Sequence, residues 1–285
     1  FITPEIHRRK HRHQEKIMPP QNPAAMANEI NRLPENRLLA SNGELDVYLA
    51  EAHLIPHTLK EIGRRREITF RQVGEGTGKS IDLDRFDEHC KHLLVWNCTH
   101  RHIVGAYRLG LTDEIVRKFG RQGLYTYTLF RYQNHLLRQI GPALELSRSF
   151  VCPEYQKNYA PLMLLWKGLG EFIAAHPRYK ILFGAVSITN DYNSYSRKLM
   201  AAFLEANNSL SELSRMVRAR KPYRQRSIRD LDRNNTESWP RDIEELSAWV
   251  SGIETDGKGI PILIKQYLKL GGKLLSFNID SSFGN

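Results

Sequence analysis

Ala143-Leu144-Glu145-Leu146-Ser147-Arg148-Ser149-Phe150-Val151 is the stretch on which the architecture of this chain turns. Leu144, Leu146 and Phe150 stand at even steps, and Glu145, Ser147, Ser149 and Val151 fill the alternate positions. A period of two predicts a strand with one apolar face, Arg148 being the exception within the apolar set. Downstream, residues 161 to 175 predict a helix with Pro161 in its first turn. An apolar strand follows over 179–188, and Asn193 or Ser194 can cap a helix running towards Asn207. Upstream, His92 to Trp96 and His102 to Leu109 read as two strands joined by the polar loop 97–101. A short helix is predicted from Asp113 to Phe119. Leu45, Leu49, Ala52, Ile55, Leu59 and Ile62 recur at steps of three and four and predict one amphipathic helix, kinked at Pro56. Helices at about 240–251 and after Pro261, and a strand over 273–279, complete the pattern. A hairpin followed by strand–helix–strand–helix predicts a mixed sheet with helices on both faces.

Composition narrows the class. In 285 residues, 42 Lys and Arg outweigh 31 Asp and Glu, a formal net charge of +11. Such a surplus suits nucleic acid, an anionic membrane face or an acidic carrier protein. With 41% apolar and 26% charged residues the chain reads as globular, and no run approaches the ~18 apolar residues of a membrane span. Residues 1–40 read as a basic, Pro-rich linker: His7 to His13 is a charge run, and Pro19, Pro20, Pro23 and Pro34 interrupt any helix. The domain proper is expected over 41–285, truncated at its C-terminus. Cys90, Cys98 and Cys152 are too widely spaced for a zinc knuckle and read as reduced thiols of a cytoplasmic protein. No metal site is expected. The most basic segment, 215–233, holds eight Lys or Arg against two Asp; Arg215, Arg218, Arg220, Lys221 and Arg224 are its candidate docking residues for an acidic carrier or the inner membrane face. Only Tyr223 offers a base-stacking ring there, and no nucleic acid is expected.

Gly74-Glu75-Gly76-Thr77-Gly78-Lys79-Ser80 invites a phosphate-loop reading. The Walker pattern needs Gly where Val73 stands, and Asp82, Asp84, Asp87 and Glu88 follow where phosphate would sit. A P-loop-like nucleotide enzyme therefore stays an alternative, beside a non-catalytic basic binding module. The main reading of the loop is a mobile Gly segment ordered by substrate.

Four elements stand in order: Arg66-x-x-x-Phe70, Asp84-x-x-Asp87, Gly105-x-x-Arg108-Leu109 and Glu145-x-x-Arg148. Together they resemble the acyl-homoserine-lactone synthases, which take acyl chains from acyl carrier protein. A longer resemblance covers about residues 38 to 280. Phe70 through Asp87, Leu146-Ser147-Arg148-Ser149-Phe150-Val151, Glu154-Tyr155-Gln156-Lys157 and Ser187-Ile188-Thr189-Asn190-Asp191-Tyr192 look like the hemolysin-like N-acyltransferases, which include ornithine-lipid and glycine-lipid N-acyltransferases. The resemblance implies an α+β, three-layer α/β/α fold of the Gcn5-related N-acetyltransferase (GNAT) kind, with a largely antiparallel mixed sheet. It implies acyl-phosphopantetheine of acyl carrier protein as donor substrate, no tightly bound cofactor, a small amino-acid acceptor and a lyso-aminolipid product. Relatives are often joined to an O-acyltransferase with His-x-x-x-x-Asp, which none of the eleven His here supplies. Such a domain is expected as a fused or separate partner. The pyrophosphate loop of that fold is replaced by Gln156-Lys157-Asn158-Tyr159-Ala160-Pro161, where Pro161 lacks an amide donor.

The roles expected from this reading are specific. Glu145 takes the ammonium proton. Amides near Phe150 to Cys152 stabilise the oxyanion. Arg108 and Arg148 hold an amino-acid carboxylate. Tyr192 protonates the leaving sulfur. Arg66, Phe70, Asp84, Asp87, Ser147 and Asn190 complete the substrate site.

Overall fold

The computed structural model describes residues 14–133, 135–223 and 239–280. Its elements in chain order are helix α1 (Pro23–Asn31), strands β1 (Leu38–Asn42) and β2 (Leu45–Glu51), α2 (Pro56–Gln72), β3 (Lys91–Asn97), β4 (His102–Leu111), α3 (Thr112–Phe119), β5 (Phe130–Tyr132), α4 (Leu136–Ile140), β6 (Ala143–Val151), α5 (Ala160–Ala175), β7 (Ile181–Gly184), α6 (Ser194–Asn208), α7 (Ser211–Ser214), β8 (Val217–Ala219), α8 (Ile243–Ile253) and α9 (Ile262–Lys269). Six strands form one sheet in the order β1-β2-β3-β4-β6-β7, and β5 pairs with β8 separately. Every neighbour in the large sheet is antiparallel except β6 and β7, which run parallel. The mixed, largely antiparallel sheet expected from the sequence is the one observed.

Two apolar layers sandwich the sheet. On one face Val47, Leu49, Leu93, Val95, Leu109, Leu144 and Leu146 meet Leu164, Leu165, Leu169 and Phe172 of α5. On the other, Ala50, Leu94, Trp96, Ile103, Ala106 and Phe150 meet Met26 and Ile30 of α1 and Ile55, Ile62 and Phe70 of α2. Leu144 and Phe150 thus lie on opposite faces, against the alternation expected for this strand. The cause is a β-bulge. Ala106 pairs with Phe150 and Arg108 with Ser147, so two residues of β6 stand opposite Tyr107. Arg148 takes the extra position with a left-handed φ of 53°. One additional residue in a period-two strand inverts every face after it.

Other segments also depart from expectation. The segment Leu45–Glu51 is strand, because Leu45, Val47 and Leu49 also alternate and β1 and β3 supply partners on both edges. The helix begins at Pro56, whose ring suits a first turn. Pro23 likewise starts α1, with the Asn22 side chain capping Ala24 N at 2.8 Å. Residues 22–40, part of the segment read as linker, therefore contribute Met26, Ile30 and Ala40 to the core. The strand expected over 179–188 is confined to Ile181–Gly184, and 273–279 makes only isolated bridges, Leu274 to Ser209 and Asn278 to Pro222.

Ile30 is 2% exposed beneath the sheet. Ile30→Ala should therefore cost about 2–5 kcal/mol in urea unfolding, the range for large-to-small core changes. A solvated tether would tolerate it with no measurable change.

Candidate functional site

The segment 73–90 between α2 and β3 is folded around buried charge. Glu67 near the end of α2 accepts from Thr77 N (2.9 Å), Thr77 Oγ1 (2.7 Å), Gly78 N (2.9 Å) and Arg71 Nε (2.7 Å). The Gly loop does wrap an anion, but the anion is the chain's own carboxylate. A Cβ on Gly76 would meet the Arg71 side chain and Glu67 Oε1, so the close approach requires glycine. These donors are not offered to a nucleotide phosphate, and Glu67 orders this part of the loop without a ligand.

Beyond the loop, three arginines from three elements meet three aspartates. Arg66 of α2 grips Asp87 bidentately, with both contacts at 3.0 Å, and also donates to the Asp82 carbonyl. Arg108 of β4 donates to Asp84 Oδ1 at 2.6 Å and to Ser147 Oγ at 3.0 Å. Arg148 approaches Asp82 Oδ2 at 3.3 Å and Asp84 Oδ2 at 3.6 Å. Burial pushes the Asp87 carboxyl up, but Arg66 and Arg108 outweigh it and hold it well below the usual carboxylate range. His92, whose Nε2 lies 2.9 Å from the Asp87 carbonyl, is pushed down to about 4 by burial and stays neutral at pH 7. Arg66, Asp84, Asp87, Arg108, Ser147 and Arg148 are thus brought together as their order in the sequence suggests. The expected carboxylate clamp is corrected: the guanidinia of Arg108 and Arg148 already hold aspartates of this chain.

Glu145 is 1% exposed and sits where β6 is still paired with β7, opposite Phe183. Its carboxylate accepts from Tyr125 N (2.9 Å), Thr126 N (2.7 Å) and the Thr126 hydroxyl. Burial raises its pKa while these donors lower it, the net direction being upward. Enclosed in this way, Glu145 fixes the 125–126 segment, which stands against its expected role as acceptor of the ammonium proton. The Tyr125 ring in turn lies under the guanidinia of Arg108 (5.3 Å) and Arg148 (4.9 Å).

Past Leu146 and Gly184 the pairing of β6 with β7 ends, while β6 continues to Val151 against β4 alone. The two parallel strands therefore part, and the bulged half of β6 presents an edge to the opening. Cys152 N is committed to Val104 O at 2.8 Å. Neighbouring amides of a strand point to opposite sides, so Val151 N–H faces the side that β7 has left. Of the expected oxyanion donors, Val151 fits and Cys152 does not. At the start of α5, Ala160 N is taken by Asn158 Oδ1 at 2.9 Å and Pro161 has no N–H, so that helix end is a poor pyrophosphate cradle.

Other expected residues lie apart. Phe70 packs in the α2 core layer. The Tyr192 hydroxyl donates to Gly259 O at 2.7 Å within the α6–α8 cluster, which removes it from sulfur protonation, and burial raises it to about 12. Asn190 accepts from Arg197. Arg215, Arg218, Arg220 and Lys221 are exposed around β8, Arg218 standing opposite Arg131 of β5. Arg224 lies outside the described residues. Missed by sequence reasoning were Asp82, Tyr125 and Glu75. Asp82 and Glu75 lay inside the quoted Phe70–Asp87 stretch, whereas nothing in spacing marked Tyr125.

Removing one partner from this network leaves buried charge uncompensated. Asp87→Asn should cost about 3–5 kcal/mol at pH 7 in denaturant unfolding. Because the folded-state pKa of Asp87 is depressed, its contribution is full above the ordinary carboxylate pKa and is lost as pH falls below it. The difference between wild type and variant should shrink in that acid window.

Comparison with known proteins accords with this arrangement. A family model described as an acetyltransferase (GNAT) domain matches residues 65–167. A glycine N(alpha)-acyltransferase of Phocaeicola vulgatus is 30% identical over 95% of this chain and 85% of its own length. An L-ornithine N(alpha)-acyltransferase of Brucella abortus is 31% identical over 53% of this chain and 55% of its own. A solved CoA-dependent acyl-homoserine lactone synthase, with SAM and isopentyl-CoA, aligns at a TM-score of 0.32 and 19% identity over 47% of this chain and 64% of its own. That last likeness is too slight to carry argument. On the relative matched along nearly its whole length, with the GNAT domain at its centre, the chain belongs to the GNAT-fold N-acyltransferases related to glycine and ornithine N(alpha)-acyltransferases.

Proposed function

We propose that this N-acyltransferase moves a long, 3-hydroxylated acyl chain from the phosphopantetheine thioester of acyl carrier protein to the α-amine of a small amino acid, glycine foremost, yielding an N-acyl amino acid of the lyso-aminolipid class. The observation that carries the reading is the parting of β6 and β7 beside the Arg–Asp network. An extended thioester arm can lie along the free edge of β6 as an added strand would, hydrogen bonding to the backbone. Val151 N–H then faces the thioester oxygen and stabilises the charge that develops there on amine attack. The network's cost in desolvation returns as rigidity: Arg148 holds the bulge, Arg108 the strand, Arg66 the loop, and Tyr125 is pinned between Glu145 and the two guanidinia.

Two features favour a carrier protein over free CoA. At the α5 N-terminus the Ala160 amide is taken by Asn158 and Pro161 has none to offer a pyrophosphate. The β5–β8 ribbon sets Arg131 directly against Arg218, with Arg220 stacked on Tyr127 at 5.0 Å. Like charges directly opposite destabilise a strand pair, so their juxtaposition suits an acidic partner. No described helix is long and apolar enough to cross a membrane, and an anionic membrane face is the second candidate for this ribbon.

Purified chain, 3-hydroxyacyl carrier protein and a panel of amino acids, read by mass spectrometry, should yield N-acylglycine. No N-acyl product from a folded sample with any amine would overturn the reading. Charge reversal by Arg218→Glu with Arg220→Glu should raise KM for the acyl carrier protein about tenfold with kcat little changed. An unchanged KM would remove the ribbon as docking surface.

A further inference from the structure

Deprotonation of the acceptor is the step for which the arrangement so far supplies no group. Glu145 is enclosed, and the three aspartates are held by arginines. Glu75 is different. It lies in the loop after α2, is 5% exposed, and its buried Oε1 has no hydrogen-bond partner among the described residues. Its amide is fixed on Phe70 O at 2.8 Å, and Gly74 beside it takes a left-handed φ of 73°, which directs the side chain inward. The carboxyl reaches Ser187, three residues past the end of β7, and faces Arg148 at the bulge of β6. It therefore lies near both the end of β7 and the bulge of β6, where the two strands have ceased to pair.

The charged groups around it come from separate elements: Arg148 from β6, Asp191 from the turn before α6, and Asp280 from the C-terminal segment. At the end of α2, Arg71 and Glu67 are paired with each other. Burial, and secondarily Asp191 and Asp280, raise the Glu75 carboxyl to about 7, against the lowering by Ser187 and Arg148. A carboxylate so placed has near-optimal basicity for neutral pH.

Resting on the acyl-transfer reading above, we infer that Glu75 is the general base of the reaction. Bound as RNH3+, the amine gives one proton to Glu75 and becomes RNH2. The nitrogen lone pair attacks the thioester carbon, and the carbonyl electron pair moves to oxygen. Collapse of the tetrahedral adduct breaks the C–S bond, and the second proton lost by nitrogen goes to the departing thiolate. Glu75 then returns its proton to solvent, leaving amide, free thiol and one released proton.

The test is Glu75→Gln, a neutral isostere. Wild-type kcat/KM for the amine should fall below an apparent pKa near 7. The variant should lose that limb, drop about 100-fold or more at pH 7, and recover as pH rises and the free amine accumulates unaided. KM for the acyl donor should not change. The variant also reports its own folding. Because the folded pKa of Glu75 is raised, ionising it costs stability as pH rises through about 7, so Glu75→Gln should gain more in Tm over wild type at pH 8 than at pH 5. Wild-type turnover with an unaltered rate and pH profile in Glu75→Gln would overturn this inference alone. No turnover in wild type would instead overturn the acyl-transfer reading on which it rests.

Discussion

Three arginines set against three aspartates are the constraint on which this structure depends. Arg66, Arg108 and Arg148 come from a helix and two strands, while Asp82, Asp84 and Asp87 come from one short loop. Buried ion pairs commonly add little net stability, because desolvation offsets their attraction. What they supply here is position. Six charges that sum to zero admit few arrangements without leaving one uncompensated, so loop, helix and both strands are fixed together. Arg148 links this to the backbone: its left-handed conformation is the bulge, and its guanidinium is held by the network. Such backbone costs on the order of 1–3 kcal/mol and persists where surroundings over-determine it.

The bulge joins the network to function. It turns Phe150 into the α2 layer and lets β6 run on past the end of β7. The edge it exposes lies beside Arg148, which Glu75 also faces. In the reaction proposed above, a strand amide polarises the carbonyl and a buried carboxylate deprotonates the amine at that opening. The Gly loop contributes by satisfying Glu67 and presenting Glu75, which is why its glycines do not make it a phosphate loop.

Much of this was legible beforehand, for definite reasons. Strand β6 declared itself by alternation and α6 by its Asn193 cap, both local signals. The site's arginines, with Asp84 and Asp87, were readable because their order along the chain resembled that of known acyltransferases. The inversion at Phe150 was not readable, since no spacing reveals a single left-handed residue. Leu45 to Ile62 satisfied two periods at once, and only the long-range partners of β2 decide between them. The enclosure of Glu145 was not readable, since it comes from Tyr125 and Thr126 in a stretch without periodicity. Glu75 was quoted in the sequence but hidden as chemistry: Ser187, Asp191 and Asp280, which shape its surroundings, lie more than a hundred residues away.

The central claim is that donor thioester and β6 edge meet at the parting of β6 and β7. Amide hydrogen exchange tests it most directly, on the whole chain with and without a non-reactive acyl-thioether analogue of acyl-phosphopantetheine on its carrier protein. The account predicts slowed exchange at Val151 and its neighbours in the second half of β6 and across residues 185–190, with the Arg–Asp loop unchanged. Binding of the analogue with no protection at β6, or with protection confined to another face of the sheet, would contradict it.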